Sequence, residues 1–293
     1  MEVICHLATL GDVEIEDQIT DALLNTALPP PEESDAFPTP NDPPWNTLTA
    51  FGMWFLSIIL IFVVPAFFIG PYFVISGREL TPDVQNDPTV IFLGVLAVIP
   101  AHLLTLAAAW TVVTKFRKYK VSQTLGIKWG GYKWWHFIAM LSAIFAAVLV
   151  VSHFLPEQDN DLTRILASSR AAVYLVAFLA TLTAPVVEEV IYRGILYSAL
   201  QRSVGSLPTI GIVTMMFAGV HFFQYWGSPG TIILITLLSL SLTLVRYSSR
   251  NILPCIVLHM LFNGVQSILM IVGPLFDGTQ PQEQTASILN LFK

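Results

Sequence analysis

Several apolar runs exceed the roughly 20 residues that a helix needs to cross a bilayer, and they follow one another after residue 46. In hydrocarbon every backbone N–H and C=O must be satisfied within the protein, so such a chain has one main option, a bundle of helices. The composition agrees. Hydrophobic residues make up 54% of the chain and charged residues 12%, where a soluble domain carries about 25% charge. The fold class expected is therefore all-α, a polytopic helical membrane protein of about seven transmembrane helices, with an eighth left open.

The helices are expected over 50–75, 90–113 and 137–154, then from 171, on to 223, over 231–245 and over 252–272. This gives an organisation of an acidic, proline-rich extension (1–46), amino-terminal membrane helices (47–165), a core holding the polar motifs (166–273) and a tail (274–293). The net charge of −6 belongs mainly to the extension: ten of the twenty acids precede Trp45, and no Lys or Arg precedes Arg78. Within it, Gly11 to Leu28 has the pattern of a loose amphipathic helix, and seven prolines between Pro29 and Pro44 read as an extended linker. The start of the chain lacks the basic then apolar pattern of a cleavable signal, so the first membrane helix is expected to serve as its own. Lys115, Arg117, Lys118, Lys120, Lys128 and Lys133, with no acid among them, place that loop in the cytoplasm by the positive-inside rule. The amino terminus is then cytoplasmic and, with seven crossings, the carboxyl end lies outside. Cys5 and Cys255 indicate no disulfide framework. The lipid bilayer is the obvious partner, no nucleic acid is expected, and the oligomeric state is open.

Polar residues inside the apolar runs are costly and mark function. Glu188-Glu189-Val190-Ile191-Tyr192-Arg193 sits in the fourth run. Glu189 and Arg193 are i and i+4, on one helix face with the acid first, the favourable order. Glu188 is rotated by about 100° and uncommitted. His221 follows in the next run, and His259 and Asn263 lie one turn apart in the last. Measured from a turn near Gly205, Glu188 is 17 residues before and His221 is 16 after. In an antiparallel pair both therefore reach about 25 Å from the turn and can face each other. His102 is unpaired in the sequence and reads as packing.

A carboxylate, two imidazoles and a carboxamide around one cavity in the bundle can hydrolyse an amide without a nucleophilic side chain. Glu188 would take a proton from water and return it to the leaving amine, and His221 would orient the water. His259 and Asn263 would donate to the oxygen that gains charge, and Glu189 and Arg193 would fix the helix bearing Glu188. Two other readings stay open. Glu188, His221 and His259 form a two-histidine, one-carboxylate set that suits zinc, although His-Glu-x-x-His is absent and Asn263 is a poor zinc ligand; the leading reading needs no cofactor. Alternatively the polar groups only join helices in a non-catalytic membrane partner.

The motifs Glu188-Glu189-x-x-x-Arg193, Phe217-x-x-x-His221 and His259-x-x-x-Asn263, in this order on successive apolar segments, resemble those of the CAAX prenyl protease and bacteriocin-processing family, also called the CPBP or Abi family. The resemblance covers about Ala171 to Gln266. It implies an intramembrane glutamic endopeptidase in which Glu188 activates water with His221 while His259 and Asn263 form the oxyanion hole. It further implies a membrane-associated or lipidated substrate such as a prenylated CAAX protein, and its bacterial branch implies a cytoplasmic-membrane location, self-immunity proteins among the relatives. The long acidic extension and seven rather than eight helices depart from the family pattern.

Overall fold

The computed structural model describes residues 37–79, 81–155 and 160–276. The amphipathic pattern at Gly11–Leu28, the first part of the proline-rich stretch, Cys5 and the tail from Asp277 lie outside them. Among the described residues there is no strand, and six helices are long and apolar enough to cross a membrane. The protein is an all-α, multi-pass membrane protein.

Those six are α1 (Thr47–Ser76), α2 (Pro88–Thr114), α3 (Trp134–Phe154), α4 (Arg170–Val204), α6 (Pro229–Ser249) and α7 (Leu253–Phe276). Between α4 and α6 lies a seventh apolar helix, α5 (Ser206–His221). Its 16 residues span about 24 Å at 1.5 Å each, short of the roughly 30 Å hydrocarbon core. Six candidate crossings thus stand where seven were expected, and the shortfall falls on this helix.

Local chemistry sets the boundaries. Asn46 caps α1, its Oδ1 accepting from Thr49 N at 2.8 Å, and Gly77 closes it in the left-handed region at φ 63°. Pro65 and Pro71 are carried inside a continuous α1. Helix α2 is interrupted at Ala97. Pro100 explains the break, because it has no N–H for the Leu96 carbonyl and its ring crowds that oxygen. Gly205, with φ 83°, makes the turn from α4 to α5.

Helix α4 is the centre of the bundle, packed on α1, α2, α5 and α7, and every residue from Glu189 to Leu200 is buried. This stretch is buried on every face, whereas Tyr174, Phe178 and Leu182 in the first half of α4 are exposed. Outward-facing apolar residues such as Phe62, Phe67 and Leu149 are left for lipid.

The stretch Pro38–Asn46 behaves differently from the linker that its composition suggests. It is docked on the bundle: Trp45 is buried and donates from Nε1 to the Ile195 carbonyl at 3.1 Å. Ser198 Oγ donates to Pro40 O at 2.6 Å. Arg202 reaches Asp42 Oδ1 at 3.2 Å and the Pro43 and Trp45 carbonyls at 2.9 Å. Proline's missing N–H leaves carbonyls as the local hydrogen-bonding groups, and the bundle supplies donors. Arg246, one residue beyond the helix expected over 231–245, is instead within α6 and fully buried.

Candidate functional site

The helix that carries the two acids is built in an unusual way, and Pro185 is the first cause. In α4 two π-helical turns, at Leu179–Thr183 and Val190–Leu196, alternate with α-helix. Ala184 donates its N–H to Leu179 O rather than to Ala180 O. In the same wide register residue 185 would serve Ala180 O, but it is proline and has no N–H. The orphaned carbonyl is answered from another helix, by Asn263 Nδ2 at 2.8 Å. At the second wide turn Tyr197 donates to Tyr192 O, which leaves Arg193 O to accept from Arg246 Nε at 3.1 Å. Insertions of this kind are frequent at functional sites.

Glu189 and Arg193 are fully buried and bonded, Arg193 Nη1 to Glu189 Oε1 at 3.0 Å. The rest of the guanidinium is satisfied by α6: Nη2 donates to Ser239 O at 2.9 Å and Ser239 Oγ at 2.8 Å, and Nε to Thr243 Oγ1 at 3.3 Å. Phe217 of α5 lies beneath it, ring centroid 4.7 Å from Arg193 Cζ. The same ring stands 5.0 Å from His221 and 6.1 Å from His259. Phe217 is thus an apolar side chain shared by Arg193, His221 and His259.

His259 of α7 also binds Glu189 Oε1, from Nδ1 at 2.9 Å. An ionised carboxylate only accepts, so Nδ1 carries the proton and Nε2 points away, 3.8 Å from Glu188 Oε2. Glu188 itself has 24% of its side chain exposed. Among the described residues its single ion-pair contact is this long one to His259.

Glu188, His221, His259 and Asn263 all line one cavity of about 390 Å³. Its polar lining further includes His102, Gln224, Tyr225 and Gln266, and its apolar lining Ile61, Val95, Val98, Leu162, Ile165 and Leu234. His221 Nδ1 is 3.3 Å from Gln224 Oε1. The amide oxygen accepts there, so in the neutral imidazole the other ring nitrogen keeps a lone pair. His102, read from sequence as packing, is a cavity residue whose Nδ1 meets Thr183 Oγ1 at 2.9 Å. Nothing in the sequence pairs it, because its partner lies 81 residues away on a π turn.

The residues that the sequence reading passed over are mostly on α6. Ser239, Thr243 and Arg246 form a fully buried polar stripe at spacings of four and three, one helix face. That spacing is the signal by which they could have been found. Among the described residues Arg246 has no acidic partner. Besides Arg193 O it binds Asn41 Oδ1 at 3.1 Å, Pro40 O at 2.6 Å and Ser198 Oγ at 3.2 Å, and its Cζ lies 4.9 Å from the Tyr197 ring centroid. For the zinc reading, no group of three or more His, Cys, Asp or Glu side chains placed to hold a metal ion occurs among the described residues.

Residues 170–265 match the family model described as Type II CAAX prenyl endopeptidase Rce1-like, over about a third of the chain and on the same residues as the three motifs. No curated protein and no solved structure matches the chain.

Proposed function

We propose, from the Rce1-like match over residues 170–265, that this protein is an intramembrane endopeptidase that hydrolyses a peptide bond of a membrane-associated or lipidated substrate, with CAAX-type carboxyl-terminal processing as the reaction. The observation that carries the reading is the contrast between the two adjacent acids. Glu189 is sealed and bonded to Arg193 and His259, whereas Glu188 is part-exposed on a cavity shared with two histidines and an asparagine.

In the reaction, water in the cavity loses a proton to the Glu188 carboxylate as its oxygen attacks the substrate carbonyl. The lone pair left on His221, whose other nitrogen is occupied by Gln224, accepts the second water hydrogen and aims the attack. The carbonyl oxygen becomes an oxyanion. Asn263 has one N–H committed to Ala180 O and a second to offer. His259 donates from Nε2 when the ring holds both protons, with Glu189 stabilising it from behind. Glu188 then passes its proton to the departing nitrogen, the C–N bond breaks, and the products are a new carboxyl end and a free amine. The apolar lining, Ile61, Val95, Val98, Leu162 and Ile165, suits a substrate that arrives through the lipid. The multi-pass fold fits a location in the bacterial cytoplasmic membrane with the amino terminus in the cytoplasm.

The test is cleavage of fluorogenic peptides, lipidated and plain, by purified wild type and Glu188→Gln, each with and without a strong chelator. Cleavage by wild type alone, unchanged by chelator, is the expected result. Full activity in Glu188→Gln overturns the role of that residue, loss with chelator restores the zinc reading, and no cleavage of any peptide favours a non-catalytic partner.

A further inference from the structure

A second concavity lies outside the Glu188 cavity, between α3 and α7. It has a volume of about 510 Å³ and is lined by Trp129, Tyr132, Trp134, Phe137, Val257 and Leu261. Val257 and Leu261 are two residues either side of His259, about 200° around the helix from it, so the groove and the Glu188 cavity lie on opposite faces of α7. The walls are held by ring contacts and a hydrogen bond. Trp129 and Tyr132 stand 6.1 Å from Phe137, and Tyr132 is pinned by a 2.7 Å bond between its hydroxyl and Ser248 Oγ. They are also uncovered, with Trp134 at 74% exposure and Trp129 at 53%.

The rim of the groove is cationic. Lys128 and Lys133 are exposed and adjoin Trp129 and Trp134. Gly130 lies so close to the α6–α7 turn that a Cβ there would meet Ser249 O at 2.5 Å and Asn251 Nδ2 at 3.0 Å, which brings the exposed Arg250 to the same edge. Among the described residues none of these three cations is in an ion pair, and Asp42, the acid on the neighbouring segment, is taken by Arg202. The residues from 115 to 133 include no acid.

We propose that this groove is a binding site for an anionic glycerophospholipid, one acyl chain lying between Phe137 and Leu261 and the phosphate met by Lys128, Lys133 and Arg250. A neutral lipid fills the apolar part equally well, so the cations make the choice, each worth roughly fivefold near a membrane surface. Tryptophan and tyrosine at the mouth have the amphipathic character of residues that sit at headgroup level. Because the site shares no residue with the Glu188 cavity, it stands or falls independently of the proposed protease chemistry.

The experiment is native mass spectrometry of the full chain from neutral detergent, offered phosphatidylglycerol and phosphatidylcholine with identical acyl chains. Wild type should retain phosphatidylglycerol in preference by roughly tenfold or more, and combined Lys128→Gln, Lys133→Gln and Arg250→Gln should bring the two lipids to parity. Leu261→Trp, which fills the groove, should lower retention of both. Equal retention of the two lipids by wild type, a preference that survives the triple substitution, or binding unaffected by Leu261→Trp overturns the proposal. So does a dimer of this chain that forms without lipid and is broken by Leu261→Trp.

Discussion

At Glu189 one oxygen, Oε1, accepts from both Arg193 and His259 in a site with no exposure. Removing that charge strands a buried guanidinium, and breaking a buried pair in this way costs about 3–5 kcal/mol. Glu189→Gln should therefore lower the midpoint of thermal unfolding in detergent strongly. Glu188→Gln replaces a part-exposed carboxylate with one long contact, so its unfolding midpoint should stay near that of wild type while turnover falls by roughly 10²–10⁴, the usual contribution of a general base. Measuring both quantities on both variants separates the two acids, and equal loss of stability in the two would refute the division. The spacing of Glu189 and Arg193 makes their pairing legible in the sequence. The engagement of His259 by Glu189 rather than by substrate alone was not legible, because it depends on how α7 rotates against α4.

Helix α4 holds its shape through bonds that cross between helices. Pro185 leaves Ala180 O without a helical donor and Asn263 fills the place, so the two residues should be energetically coupled. Asn263→Ala should cost roughly 1–3 kcal/mol, the price of an orphaned carbonyl. In a Pro185→Ala background, where residue 185 regains its N–H, the same substitution should cost less by about 0.5 kcal/mol or more, within the range seen for residues sharing a partner. Additive effects in chemical unfolding would refute the coupling. The docked stretch before α1 makes a parallel case. Asn41→Ala removes a neutral acceptor from the buried Arg246 and should destabilise by about 1.5–3 kcal/mol, as for other bonds to charged groups, visible as a lower midpoint with an unchanged denaturant slope. Neither device could be read from the sequence. A π turn changes no residue type, and proline-rich composition describes a linker and a docked segment alike. Ser239 and Thr243 are marked only by their spacing with Arg246, because such residues commonly bond back along their own helix, as Thr243 Oγ1 does to Ser239 O, and taken singly do not announce a buried arginine.

Over the whole molecule the apolar runs located every long helix among the described residues, and the remaining question of how many cross is carried by α5. Its start follows the end of α4 at Gly205, and the loop beyond it leads to Pro229, where Gly230 is packed so closely that a Cβ would meet Leu155 O at 2.8 Å, at the far end of α3. We expect α5 to run between the two ends of the bundle despite its length, with the loop supplying the missing reach. With the native cysteines changed to serine, single cysteines at the exposed Thr39 and at Trp226, 65% exposed, should then be labelled by an impermeant thiol reagent from opposite faces of sealed vesicles. Labelling from one face would mean that α5 does not cross. The docked stretch also bears on how the protein is made. Residues 40–45 leave the ribosome before the membrane helices, and their partners Ser198, Arg202 and Arg246 are synthesised 158 to 206 residues later. Until then the early carbonyls lack these donors, and when α6 enters the bilayer its arginine arrives without an acidic partner among the described residues. The last steps of assembly thus wait on residues made ahead of the first membrane helix, and a nascent chain that has lost those residues should stall as an inserted but unsealed bundle, open to membrane quality-control proteases.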